Sequence, residues 1–214
     1  DLNNKLIRAV GDPHARFQED ALRMMRAIRF AAQLSFTIEK ETFAAITQHA
    51  ELITQISWER IRDELLKTLS ADSASNAADA IMHLRETGLL KHIMPELEAC
   101  FGVEQKSPER HHIHDVGTHL VDALRHCPST DPIVRLAALL HDIGKPPTRE
   151  IDPSGVTTFY NHEIVGTTIA HTIAERLRLS KNDTITLTKL VRYHMFSVGE
   201  DQTDKAIRRF IRHI

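Results

Sequence analysis

The chain has 214 residues, 42% of them hydrophobic and 26% charged, the balance of an ordinary globular protein with room for one large or two small domains. A net charge of −2 removes any global electrostatic case for nucleic acid, so RNA binding has to come from a local patch. Two cysteines, Cys100 and Cys127, make neither a disulfide framework nor a metal-ligand spacing, and no apolar stretch approaches the roughly 18 residues of a membrane span. With no signal peptide either, no membrane association and a cytoplasmic setting are expected.

Apolar residues recur at three- and four-residue spacings over 17–34, 41–54, 58–70, 76–88, 114–126, 131–143, 161–177 and 182–195, which predicts an all-α chain. Short polar or Pro-containing connections separate these helices, such as residues 71–75 and 128–130. Val156 to Tyr160 is a short strand or an extended loop, preceded by the turn signal Asp152-Pro153-Ser154-Gly155. Glu98 to Arg110 is irregular, so one helical unit is expected over 1–97 and a second over 110–214. Both ends read as cut: the chain opens on Asp1 rather than Met, and Ile214 follows the helical pattern of residues 206–211 without a cap.

The first chemical signal runs from Gly11 through Arg16-Phe17-Gln18-Glu19-Asp20 to Arg23, Arg26 and Arg29. On one helix, each step of three residues turns a side chain back by about 60°, so neighbours in the series can meet. Arg29 falls almost under Leu22 on an apolar face, where a guanidinium wants a planar acceptor. The plain structural alternative is an Asp20–Arg23 helix pair among solvated arginines.

The second signal is His141-Asp142-Ile143-Gly144-Lys145, which closes the apolar run Leu136-Ala137-Ala138-Leu139-Leu140, with Gly144-Lys145 expected to end the helix. An ionised carboxylate at the end of a buried helix is costly unless paired or metal-bound. His and Asp together suit a divalent cation, with Asp142 holding the metal and orienting water, and Lys145 sets a positive charge where a phosphate can bind. On this reading His141, Asp142 and Lys145 are the catalytic candidates. A capping His with a solvated Asp is the alternative. Most of the fourteen histidines lie between His111 and His194.

The pattern from Val10 to Phe36 resembles the neck region of bacterial class II CCA-adding tRNA nucleotidyltransferases and their poly(A) polymerase relatives. Ile56 to Ile61 with Glu64 to Lys67, and Leu89-Leu90 with Met94 to Leu97, fit the same family, and the second half resembles its HD-type metal-dependent phosphohydrolase domain. The resemblance implies a helical neck and body followed by an α-helical HD domain, with tRNA, CTP and ATP as partners and no protein partner. It implies that Asp20 and Arg23 read the base edge of CTP or ATP, while Arg26 and Arg29 complete the nucleotide pocket. In the HD half it makes His119 the first metal ligand, with His112 or His114 as alternatives, followed by His141 and Asp142. His162 and His194 match ligands of members that hold more than one metal, and a core position is the alternative for each.

The implied metal is divalent, with Mg, Mn, Ni and Co all possible, and the implied reaction is hydrolysis of 2′,3′-cyclic or 2′-phosphates. The family's transfer head, with its Mg-binding carboxylates, is expected before Asp1, and the distal HD Asp beyond Ile214. CCA addition and poly(A) addition both remain open. The alternative of another class is a non-catalytic RNA-binding module with a degenerate HD fold; a free-standing HD hydrolase has no use for the Arg16 to Phe30 motif.

Overall fold

The computed structural model describes residues 1–105, 114–153 and 155–196, together with residues 203 and 208. His111, His112, Asp201, Asp204 and most of the 206–211 pattern lie outside the described residues.

The described chain is mainly helical. Helix α1 (Pro13–Glu19) starts at Asp12, whose carboxylate accepts from the His14 and Ala15 amides, and its first position is Pro13, which has no amide hydrogen to leave unpaired. Helix α2 (Leu22–Leu34) buries Leu22, Met25, Ile28 and Ala32 on one face. The single helix expected over 17–34 is therefore two. Asp20 between them is extended (φ −151°, ψ 101°), and its Oδ1 accepts from the Leu22 amide at 3.1 Å. A short carboxylate that bonds nearby backbone competes with helix continuation. Asp20 thus sits in a break ahead of the arginines, not on their helix.

Residues 6–7 (β1, Leu6–Ile7) and 37–38 (β2, Thr37–Ile38) form a short parallel pair. Helix α3 (Lys40–His49) tightens into a 3₁₀ turn over Ala50–Gln55. Helices α4 (Trp58–Leu69) and α5 (Ala74–Glu86) follow, then two short helices that periodicity did not resolve, α6 (Leu90–Ile93) and α7 (Pro95–Glu98). In the second half, α8 (Val116–Arg125) is capped by Asp115 and α9 (Pro132–Leu140) by Asp131. Strands β3 (Glu150–Ile151) and β4 (Thr157–Thr158) make an antiparallel pair, which settles the 156–160 ambiguity as a two-residue strand. Helices α10 (His162–Arg176) and α11 (Lys181–Tyr193) complete the set.

The buried apolar side chains form one continuous cluster from Phe17 to Val191, in which α4 packs on α2 and α9, and α5 on α8. Arginines tie the two halves together. Arg135 of α9 is only 2% exposed and donates to the carbonyls of Ser129, Leu69 and Ala71, closing the C-terminal end of α4. Arg176 of α10 grips both oxygens of Glu96, and Arg62 of α4 donates to the Arg178 carbonyl. The Arg135 contacts hold α9, which leads into the His-Asp motif, against α4, the helix that faces the N-terminal arginines. Among the described residues, no helix is long and apolar enough to cross a membrane.

Candidate functional site

Helix α9 ends at Leu140, and the chain turns tightly through His141 to Lys145. Gly144 does not end this helix, as its position in the sequence suggested. A Cβ on Gly144 would stand 2.1 Å from the His162 carbonyl oxygen and 2.5 Å from the Gly166 amide, so glycine is needed because the turn presses against α10. That close approach brings His162, the first residue of α10, to the His-Asp turn.

The Asp142 side chain is 5% exposed, and its two oxygens face different histidine pairs. Oδ2 lies 3.3 Å from Nε2 of both His119 and His141. Oδ1 lies 3.2 Å from Nε2 of His162 and 3.4 Å from that of His194. Within the pairs, His119 and His141 bring Nε2 to 3.1 Å, and His162 and His194 to 3.3 Å. The five sequence-predicted ligands therefore meet as two triads sharing one carboxylate. The open alternative His114 stands elsewhere, 3.8 Å from Asp122.

The donor chemistry fits a cation in each triad. Nδ1 of His141, His162 and His194 each bonds a backbone carbonyl three residues earlier, at 2.9, 2.8 and 2.8 Å. A carbonyl only accepts, so these Nδ1 atoms carry the hydrogen and a neutral ring turns an Nε2 lone pair inward. Lone pairs facing one another around a carboxylate repel unless a cation or a proton lies between them. Edges of 3.1 to 3.4 Å match donors each about 2.1 Å from one ion. Protons on the Nε2 atoms are the other way to relieve that repulsion: burial pushes the Asp142 carboxyl upward, but imidazole N–H groups donating to it outweigh this and hold the group far below the usual carboxylate range. Asp142 in turn raises the pKa of His162 against the opposing effect of burial.

Lys145 lies at the same place. Its Nζ is 2.7 Å from Asp142 Oδ2, 2.6 Å from Gln105 Oε1 and 5.5 Å from the centre of the Phe159 ring. A cavity of about 830 Å³ opens over the cluster, walled by the β4 end of the hairpin and the turn into α10.

The N-terminal candidates form a second cluster. Asp20 and Arg23 do not pair with each other. Arg23 donates to Glu19 Oε2 at 2.6 Å, and Asp20 Oδ2 accepts from Arg60 of α4 at 2.9 Å. Arg26 and Arg29 both bond Glu64 of α4, at 3.3 and 2.7 Å, and the Glu64 side chain is only 5% exposed. The planar acceptor that Arg29 required is thus Glu64. Burial pushes the Asp20 carboxyl up, and Arg60 with the Leu22 amide more than reverses this, leaving it below its ordinary value. Sequence reasoning saw Arg60 and Glu64 only as part of a helix start. Their spacing of four residues, which puts them on one helix face, was the available signal.

Two family profiles match the chain. One, described as a probable RNA- and SrmB-binding site of polymerase A, covers residues 35–101, and the HD domain covers 111–210. The A-adding tRNA nucleotidyltransferase of Deinococcus radiodurans is 37% identical over 99% of this chain and 49% of its own length. The CC-adding tRNA nucleotidyltransferase of Thermus thermophilus is 34% identical over 98% of this chain and 48% of its own length. The CCA-adding enzyme of Levilactobacillus brevis is 53% identical over 43% of this chain and 22% of its own length. The chain thus spans about half the length of the relatives that it matches throughout.

Proposed function

We propose, for a chain that belongs to the bacterial tRNA nucleotidyltransferase and poly(A) polymerase family, that it is the neck, body and HD portion of an enzyme that adds or repairs the 3′ CCA end of tRNA in the cytoplasm. Residues 1–97 serve as neck and body and residues 110–214 as the HD unit. Asp20 accepts from the exocyclic amino group of CTP or ATP, and Arg23 donates to the ring nitrogen and carbonyl edge. Arg26 and Arg29, held by Glu64, line the rest of the nucleotide pocket.

In the HD unit, the two triads on Asp142 hold divalent metal, and the imidazole-rich donor set suits Mn, Co or Ni better than Mg. A bound cation lowers the pKa of a water and neutralises phosphoryl charge. Lys145 binds a phosphate oxygen, and Asp142 fixes the histidines around the reacting water. With a 2′,3′-cyclic phosphate, the water oxygen joins phosphorus, one phosphorus–ribose oxygen bond breaks, and a proton from the water ends on the freed ribose oxygen. The observation that carries this reading is the convergence of His119, His141, His162 and His194 on Asp142. It also argues against a degenerate HD fold kept only as an RNA-binding scaffold.

The test is hydrolysis of 2′,3′-cyclic AMP with added Mn²⁺. Activity that requires the metal and disappears in His141→Ala supports the reading, and unchanged hydrolysis in that variant overturns it.

A second reading of the nucleotidyl transfer has its own support. Two relatives matched over nearly the whole of this chain are an A-adding and a CC-adding enzyme, whereas the CCA-adding enzymes of Levilactobacillus brevis and Bacillus velezensis match 43% and 51% of it. The parent enzyme would then add only part of the CCA end. Product length on tRNAs ending before CCA and after CC separates partial, complete and poly(A) addition.

A further inference from the structure

The cavity over the metal-ligand cluster has an apolar lip that hydrolysis of a bare phosphoester does not use. Among the described residues, two exposed large apolar side chains line it, Tyr160 at 74% exposure and Met195 at 61%. Single exposed apolar residues are ordinary on a protein surface. Here two of them converge on one cavity, and each is anchored beside a metal-ligand candidate. Tyr160 lies in the turn closed by His162, whose amide and Nδ1 both bond the Phe159 carbonyl. Met195 directly follows His194, whose ring is fixed on the Val191 carbonyl. The same cavity is lined by the amide side chains of Asn161 and Gln105 and by the Thr157 and Thr158 pair of β4.

Flat apolar surface, a thioether and amide groups, in one cavity with a lysine and a metal-type centre, match the parts of a nucleotide. An aromatic face takes any base by stacking, a polarizable sulfur packs against a ring, and amides meet the polar edge. We propose that Tyr160 and Met195 form a nucleobase subsite of the HD centre, so that it selects a nucleotide by its base rather than taking phosphoesters in general. This rests on the reading of His119, His141, Asp142, His162 and His194 as a phosphohydrolase centre. Tyr160 contributes its ring and not its hydroxyl, and Met195 supplies the adjoining apolar surface.

The experiment compares kcat/KM for 2′,3′-cyclic AMP with that for the base-free glycerol 1,2-cyclic phosphate, in the presence of Mn²⁺. The preference of the wild-type chain for the nucleotide falls about tenfold in Tyr160→Ala, the size of one lost base–aromatic stack, through KM more than kcat. It falls less in Met195→Ala and stays near wild type in Tyr160→Phe. An unchanged preference in Tyr160→Ala, or an equal fall in Tyr160→Phe, overturns the subsite. If the wild-type chain hydrolyses neither compound, the phosphohydrolase reading fails, and calorimetry with adenosine 2′-monophosphate and glycerol 2-phosphate decides the subsite by itself. Tighter binding of the nucleotide that is lost in Tyr160→Ala upholds it. Equal binding of the two ligands overturns it.

Discussion

Arg60 and Asp20 stand 40 residues apart in sequence and meet at 2.9 Å, Nη2 on Oδ2. The pair crosses from α4 to the break between α1 and α2, and it fixes the carboxylate that the nucleotide reading places against the base. Helix α4 supplies Glu64 as well, so one helix face positions Asp20, Arg26 and Arg29 together.

Replacing Arg60 by Gln removes the largest of the influences that lower the Asp20 pKa, while burial continues to raise it. The Asp20 carboxyl is then expected to titrate higher than in the wild type, measured by carboxyl ¹³C NMR. The Arg60 side chain is 45% exposed, so the stability cost stays under about 1 kcal/mol. A pKa that does not move contradicts the assignment of Arg60 as the residue that positions Asp20.

Glu64 behaves differently because it is buried. Glu64→Ala leaves the Nε–H of Arg29, whose side chain is 13% exposed, without its carboxylate, and only Gln33 Oε1 still accepts from Nη1. Breaking such a pair from one side costs about 3 kcal/mol, read as a lower urea midpoint at unchanged slope. Glu64→Gln, which keeps one acceptor oxygen, costs less.

Gly144→Ala tests the contact that delivers His162 to the centre. Its methyl group meets backbone atoms of His162 and Gly166, which cannot rotate away, so α10 has to shift. The expected loss is about 2–3 kcal/mol of stability, with weaker metal retention in the folded fraction. A variant with wild-type stability and metal content contradicts the close approach.

Glu96 links α7 to α10 through Nη1 and Nη2 of Arg176, at 2.7 and 2.6 Å. Burial pushes its carboxyl up, but the Arg176 bonds prevail and hold it below its ordinary 4.5. A depressed folded pKa contributes stability above the unfolded value and loses it as pH falls through the folded one. Glu96→Gln is therefore about 2 kcal/mol less stable than wild type at pH 7, and the gap narrows as pH drops below 4.5. Urea unfolding at several pH values checks this; a gap that persists unchanged into acid contradicts it.

Much of this architecture is legible in the sequence where the signal is local. The apolar period gives the helices, Asp12, Asp115 and Asp131 act as caps, and the apolar run into His141-Asp142 marks a buried ligand turn. What escapes depends on groups distant in sequence. The break at Asp20 is invisible to periodicity, because Phe17 and Leu22 both face the core on either side of it. The partner of Arg29 lies 35 residues away, and Arg135, a lone basic residue in an apolar stretch, finds carbonyls at the end of α4. Gly144 looks like a helix stop, yet its reason is α10, which arrives from later in the chain.

The most direct test of the central claim is the metal content of the purified chain after equilibration with Mn²⁺, beside an Asp142→Asn variant, with anomalous scattering to locate the ions. The shared carboxylate predicts one or two ions per chain within the His119–His141 and His162–His194 triads, and their loss in the variant. A wild-type chain that retains no metal, or a variant that retains as much, would contradict the account.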